Sequence, residues 1–143
     1  MAYQPKITKA RFVLGPFSTE DMTVIGAFMC DRIRRRIERG VNVDDNPSKA
    51  LKPGYEKQKT RRGLNPIRDW TWRGRTLRSL SVKAANENRV VIGFSDPESD
   101  GIAHVNNLRE RAFGVSPDDR KALTEIVLTT LRLKRIVAFR KAA

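Results

Sequence analysis

"SLSVKAANENRVVIGF", residues 79–94, decides the fold. "SLSVKA" and "RVVIGF" read as two short strands rich in valine and isoleucine, and "ANEN" is a polar turn long enough to reverse the chain between them. The prediction is an antiparallel hairpin. Just ahead of it, Thr76 to Leu80 reads as a short turn of helix.

Working outward, the segment before the hairpin opens with "STEDMTVIGAFMCDRIRRRIERG" (18–40). Ser18 or Thr19 can cap a first turn, Glu20 and Asp21 suit the positive end of a helix dipole, and Gly40 can end the helix. Met22, Ile25, Met29, Ile33 and Ile37 recur at helical spacing and form its apolar face. The arginines at 32, 34, 35, 36 and 39 surround the rest of its second half. They read as a solvated face partly offset by Asp31 and Glu38, with a basic ridge against a partner or DNA as the alternative. Farther upstream, "ITKARFVL" (7–14) stops at "GP" and reads as a short strand or an arm that adds to a sheet elsewhere.

Downstream of the hairpin, "DPESDG" (96–101) reads as an acidic turn, "IAHVNNL" as the possible start of another element, and "RERAF" as a short alternating run before Gly114. "SPDDRKALTEIVLTTLRLKRIVAF" then begins with Ser116 as cap, Pro117 at the first helical position, and Asp118 and Asp119 in the first turn. Leu123, Ile126, Val127, Leu131, Leu133, Ile136 and Val137 cover more than one stripe of this long helix. A helix apolar on several sides is buried on several sides. In a small protein, another subunit is expected to cover part of it, and Leu128, Leu131, Leu133, Ile136 and Val137 are the candidate contact residues.

The expected class is therefore α+β: a small antiparallel sheet packed with an N-terminal helix and a long C-terminal helix, with a long basic loop between helix 1 and the sheet. The 143 residues suit one domain, with 1–17 as an N-terminal arm or strand and 41–69 as the loop. From Val41 to Pro66 the helical pattern breaks at "DDNP", "KPG" and "GLNP", which are successive turn signals. A loop of that length in a compact domain is functional or disordered.

The charge is concentrated in the same region. The formal net charge is +13, and residues 49–83 alone carry +9, from eleven Lys and Arg against Glu56 and Asp69. Concentrated positive charge favours a polyanion such as nucleic acid or an anionic membrane surface, whereas the plain alternative is a solubilising loop. Tyr55, Trp70 and Trp72, interleaved with the basic residues, suggest a stacking platform for single-stranded nucleic acid, or equally the docking of the loop on a neighbouring surface.

Signals for chemistry are sparse. The single cysteine, Cys30, excludes an intrachain disulfide and a multi-cysteine zinc site, and fits a reducing compartment. No stretch approaches the ~20 apolar residues of a membrane span, and the N-terminus lacks the apolar run of a signal peptide, so cytoplasmic synthesis is expected. The one histidine, His104, has no cysteine or acidic pair at ligand spacing, and Ser79, Ser81 and Cys30 sit in no nucleophile motif. Asp96, Glu98 and His104 would have to converge for a metal-dependent nuclease. The expectation is a protein without catalysis, metal or cofactor.

The order of these elements carries a resemblance. "RIRRRIERG", then "KALKPGYEKQK", then "WTWRGRTLRSLSVKAANENRVVIGF", then "IAHVNNLRERAFGVSPDDRKALTEIV" resembles the neck and tail-completion proteins of tailed bacteriophages, over roughly residues 20–130. In that family an "L…Y…K" pattern precedes a "G-x-L-x-x-S-L" turn, resembled here by Leu51, Tyr55 and Lys59 and then by Gly74, Leu77 and Leu80 of "GRTLRSL". A valine-rich strand follows, here Val90 to Phe94, then Ala103 and His104, then Arg111, Phe113 and Gly114 ahead of "SPDD". The chain lacks the family's Tyr-Ala start and the Pro before "R-x-F".

The resemblance implies a non-catalytic structural subunit that forms an oligomeric ring in the virion, joins head to tail and surrounds the DNA channel. It would be assembled in the host cytoplasm. The implied partners are further copies of the chain, portal, adaptor or head-closure proteins on one side, tail-terminator or tail-tube proteins on the other, and double-stranded DNA touched without base readout. Under that reading Lys49, Lys52, Lys57, Lys59, Arg61, Arg62, Arg68, Arg73 and Arg75 are the candidate contacts to DNA or to a neighbouring subunit. The alternative is a sequence-nonspecific DNA-binding protein.

Overall fold

The computed structural model describes residues 17–69 and 74–142, with side chains described as far as Lys134. The expected arm at 7–14 and Trp70, Trp72 and Arg73 lie outside the described residues, as do the side chains of Ile136 and Val137. The fold is α+β: α1 (Thr19–Glu38), α2 (Pro53–Arg61), α3 (Arg75–Arg78), β1 (Leu80–Asn86), β2 (Arg89–Phe94), α4 (Pro97–Arg109) and α5 (Pro117–Ala142).

The hairpin forms over the two stretches read as strands. Leu80 faces Phe94, Val82 faces Ile92 and Asn86 faces Arg89 across an antiparallel ladder, with a register shift between Val82 and Ala84. Asn86 Oδ1 accepts from the backbone of Asn88 and closes the turn. A two-stranded ribbon is at best marginal alone. Here α1 lies across it, and the approach is close because α1 carries a glycine at the crossing. A Cβ on Gly26 would lie 2.5 Å from Val90 Cγ2 and 2.8 Å from Val82 Cγ2. Gly26→Ala is therefore expected to cost about 1–3 kcal/mol by overpacking, despite the better helix propensity of alanine. Chemical denaturation measures this, and an unchanged midpoint would contradict the packing.

Ser18 and Asp21 form a capping box on α1: Asp21 N donates to Ser18 Oγ at 3.1 Å and Ser18 N donates to Asp21 Oδ2 at 2.8 Å. Asp21 also pairs with Lys134 of α5. That ion pair, together with the hydrogen bonds from Ser18, holds the Asp21 carboxyl below its ordinary 3.8. A carboxylate with a depressed folded-state pKa contributes stability above its unfolded value, and the contribution disappears as pH falls through the folded value. Acid below about pH 4 should therefore weaken the α1–α5 contact. Asp21→Asn should flatten the stability profile between about pH 5 and 2; a profile identical to the parent would contradict the linkage.

At the other end of α1, Gly40 takes the left-handed conformation, φ +69°, that lets the chain leave the helix. Two apolar clusters flank α1. Cys30, Ile33 and Ile37 meet Leu77, Leu80 and Ala112, with Phe94 and Phe113 stacked edge to face at 5.2 Å. On the other side, Phe17 and Ile25 meet Val127, with Met22, Leu123, Ile126 and Leu131 packed around them.

Two sequence expectations are corrected. The 41–69 segment is not a continuous loop: a bridge pairs Val41 with Pro47, and α2 occupies Pro53–Arg61. Pro53 at the start and Lys59 and Arg61 in the last turn are ordinary helix signals. With no apolar stripe, however, α2 has no periodicity to read. "DPESDG" is not a free turn either. Asp96 caps α4 by accepting from Ser99 N at 2.9 Å, and Pro97, Glu98 and Asp100 fill the first turn.

Candidate nucleic-acid interface

The basic residues of 49–75 fall into two groups once packed. Lys49, Lys52, Lys57, Arg61 and Arg62 are exposed. Lys59, Arg68 and Arg75 are bonded within the chain. Lys59 is a correction to the candidate set, because its side chain is buried (1% exposed) and cannot reach a phosphate. Its Nζ donates to Asp69 Oδ1 at 2.5 Å and to Ile67 O at 2.7 Å. Burial removes water from both charges, and the geometry replaces it with direct bonds, so the pair fastens α2 to the segment that follows it.

Arg68 is also mostly committed. It donates through Nε to Lys49 O at 2.9 Å and through NH2 to Ala50 O at 3.2 Å, and Glu110 Oε2 lies 3.5 Å from Nε. Glu110 in turn accepts from Lys49 N at 2.9 Å, so the end of α4 holds the start of the basic segment. Arg75 is exposed but bonded, its NH1 to Glu98 Oε2 at 2.7 Å and its NH2 to Asp96 Oδ1 at 3.4 Å.

The arginines of α1 also differ from a solvated face. Arg36 is buried (2% exposed). Its Nε donates to Asp119 Oδ2 at 2.9 Å, NH1 to Val41 O at 3.0 Å, and NH2 to Ala112 O and Gly114 O at 3.1 and 2.7 Å. One guanidinium thus ties α1 to the 41–47 turn, to the "RAFG" run at 111–114 and to the cap of α5. Arg34 bonds the carbonyls of Leu77 and Leu80. Arg32 Nε is buried 3.3 Å from Asp119 Oδ1 without the alignment of a hydrogen bond. Asn107 completes the clamp: its amide donates to Phe113 O and its carbonyl accepts from Ala112 N and Phe113 N.

Arg36 and Asn107 were missed as structural residues. The signal for Arg36 was its place: it lies seven residues after Met29 and beside Ile37, on the buried stripe of α1.

Of the expected subunit-contact residues on α5, Leu128 and Leu133 are exposed, at 45% and 59%. Leu131 is half-buried and packs within the chain against the Phe17, Ile25 and Val127 cluster. A second exposed apolar face was not anticipated. Ile102, Val105 and Leu108 of α4 are 42%, 49% and 69% exposed.

Asp96, Glu98 and His104 do not form a metal site: Asp96 is the cap of α4 and both acids bond Arg75. Among the described residues, no group of three His, Cys, Asp or Glu stands at metal-ligand spacing. No described helix is long and apolar enough to cross a membrane. No family model, curated protein or solved structure matches the chain.

Proposed function

We propose that this chain is a structural subunit of a tailed-phage neck, forming a closed ring that joins head to tail and lets packaged DNA pass through its centre. The observation that carries the reading is the ordered series of elements in one packed unit. A basic-ended helix, a cationic segment, a hairpin, the helix that carries Ala103 and His104, and the clamped "RAFGVSPDD" run lead into a long last helix. Of the residues that carry the resemblance, Lys59, Leu77, Leu80 and Ala103 are buried, which suits a packing signature. The exposed apolar residues on α4 and α5 suit a subunit whose surface is completed by neighbours.

Lys49, Lys52 and Arg62 are the cations assigned to phosphates. Contacts of this kind hold a duplex without reading bases, and they do not trap DNA that must later leave. Replacing all three with Ser should leave the fold within about 0.5 kcal/mol per site. It should also reduce the slope of log K against log salt for duplex binding by roughly 3, at about 0.9 per lost contact. An unchanged slope would remove these residues from the DNA surface.

The function is tested by deleting the gene from the phage that encodes it. DNA-filled heads and separate tails should accumulate, and added purified protein should join them into infectious particles. Normal infectious yield from the deletion would overturn the reading. The competing reading, a protein that coats DNA without sequence preference, requires tight and steeply salt-sensitive duplex binding by the isolated subunit.

A further inference from the structure

A cavity of about 220 Å³ lies where the end of α1, the 41–47 turn and the start of α5 meet. Its lining is charged. Arg32, Arg36 and Arg39 come from α1 and its C-cap, Asp45 from the turn, and Asp118 and Asp119 from α5. The carboxylates are committed. Asp119 faces Arg32 through Oδ1 and Arg36 through Oδ2, and Oδ2 also accepts from Ser116 N. Asp45 Oδ2 accepts from Asp118 N at 2.9 Å, and Asp118 Oδ1 pairs with Lys121 Nζ at 3.2 Å. Arg36 is spent as well, since each of its guanidinium nitrogens is bonded. So are the N–H groups that open α5, because Asp119 N bonds Ser116 Oγ and Arg120 N bonds Ser116 O.

Arg32 and Arg39 still have donors to give. Arg32 buries its Nε without a hydrogen-bond partner, and its NH2 makes a 3.3 Å bond to Asp118 O. Arg39 bonds Arg35 O through Nε at 3.3 Å, and among the described residues no acceptor meets its two terminal nitrogens. The two residues lie seven apart, on one side of α1 and about 10 Å along its axis, so both forks can reach a group held between them. With Lys121 beside Asp118, four cations stand against three carboxylates at this cavity.

We propose that the cavity binds one phosphoryl group, with the guanidinium forks of Arg32 and Arg39 donating to its oxygens over the buried Arg36–Asp119 pair. Guanidinium forks match the geometry of phosphate oxygens, and two forks from different directions suit a tetrahedral anion. The volume is below the ~300–1,000 Å³ of sites for drug-sized molecules, so it fits a single phosphoryl group. Asp45 and Asp118 bound the site by repelling a second negative charge. The far wall is fixed in advance, because Asp45 holds a left-handed backbone, φ +59°, and is tied to Asp118 N, so little ordering is needed on binding. The phosphoryl group has two possible sources, inorganic phosphate or a phosphodiester of duplex DNA. The site belongs to the single subunit and is independent of ring closure.

The test is titration of the full chain with sodium phosphate at constant ionic strength, followed by amide NMR shifts. The amides of residues 39–45 and 118–120 should move together and saturate at one phosphate per chain. The melting temperature should rise with phosphate and not with chloride at the same ionic strength. Arg39→Gln should weaken phosphate binding about tenfold or more, since a charged fork is lost. Its side chain is exposed, so this variant should melt with the parent in phosphate-free buffer. Arg32→Lys keeps the charge without the fork and should also weaken binding. Lys83→Gln, which removes an equal charge from the hairpin, should bind as the parent does.

A short duplex separates the sources. If DNA supplies the group, duplex displaces phosphate from the cavity, and Arg39→Gln lowers the slope of log K against log salt by about 0.9. If the free ion supplies it, the phosphate shifts persist with duplex present and the slope is the same in both chains. Either result supports the site. Equal phosphate affinity in the parent, Arg39→Gln and Arg32→Lys would overturn it, as would shifts confined to residues 49–62. So would a parent whose cavity amides move with neither phosphate nor duplex.

Discussion

Asp119→Ala is expected to cost about 3–5 kcal/mol, the cost of leaving a buried charge without its partner. Asp119 is 1% exposed and serves two structures. With Ser116 it makes the reciprocal cap of α5: Asp119 N donates to Ser116 Oγ at 3.0 Å, and Ser116 N donates to Asp119 Oδ2 at 3.1 Å. The same carboxylate takes the 2.9 Å bond from Arg36 Nε. Without it, the guanidinium remains buried with its charge uncompensated, held only by the carbonyls of Val41, Ala112 and Gly114. A domain of this size has about 5–15 kcal/mol in total, so the variant should unfold at far lower urea and melt about 10 °C or more below the parent. Asp119→Asn keeps a capping oxygen and removes the charge, so it should fall between the two. A denaturation midpoint for Asp119→Ala within about 0.5 kcal/mol of the parent would refute the clamp.

Lys59→Ala should produce the second large loss, also about 3–5 kcal/mol, by leaving Asp69 buried without its cation. The removed ammonium also releases Ile67 O, which it bonds at 2.7 Å. The loss is local in origin, because Lys59 is the side chain that α2 buries. Hydrogen exchange across Pro53–Arg61 should therefore accelerate more than exchange in α1. Replacing both partners, Lys59→Met with Asp69→Leu, should cost less than Lys59→Ala alone, since no unpaired charge remains. A double variant as unstable as the sum of the singles would show that the pair is not coupled. Lys59 is one of the candidate contacts to DNA or to a neighbouring subunit, and Lys59→Ala separates a DNA contact from a structural role: a structural lysine changes exchange in α2 before it changes salt dependence.

What could be read from the residues follows their periodicity. The hairpin, α1 and α5 each bury an apolar stripe, and their caps at Ser18 and Ser116 are local patterns, so composition and spacing suffice. α2 has no stripe to read, because the side chain that it buries is a lysine. α4 was obscured differently. Its "DPES" start is of the same kind as the "SPDD" of α5, but Ile102, Val105 and Leu108 face outward, so the apolar residues mark a surface where a core was sought. Buried charges are the hardest to foresee. Arg36 and its neighbours form a run that looks solvated, and the carboxylate that Arg36 meets lies 83 residues away. The candidate DNA surface was legible as a region, but only packing separates the exposed Lys49, Lys52, Lys57, Arg61 and Arg62 from the buried Lys59 and the half-buried Arg68.

The most direct test of a ring threaded by DNA is the particle mass of the purified protein by light scattering, with and without a short duplex, at moderate salt. The account predicts a single oligomer whose mass is a fixed multiple of the chain and whose subunit number does not change when duplex is added. A monomer or dimer whose mass climbs with duplex and returns when salt is raised would contradict it, and would identify the chain as a DNA-coating protein.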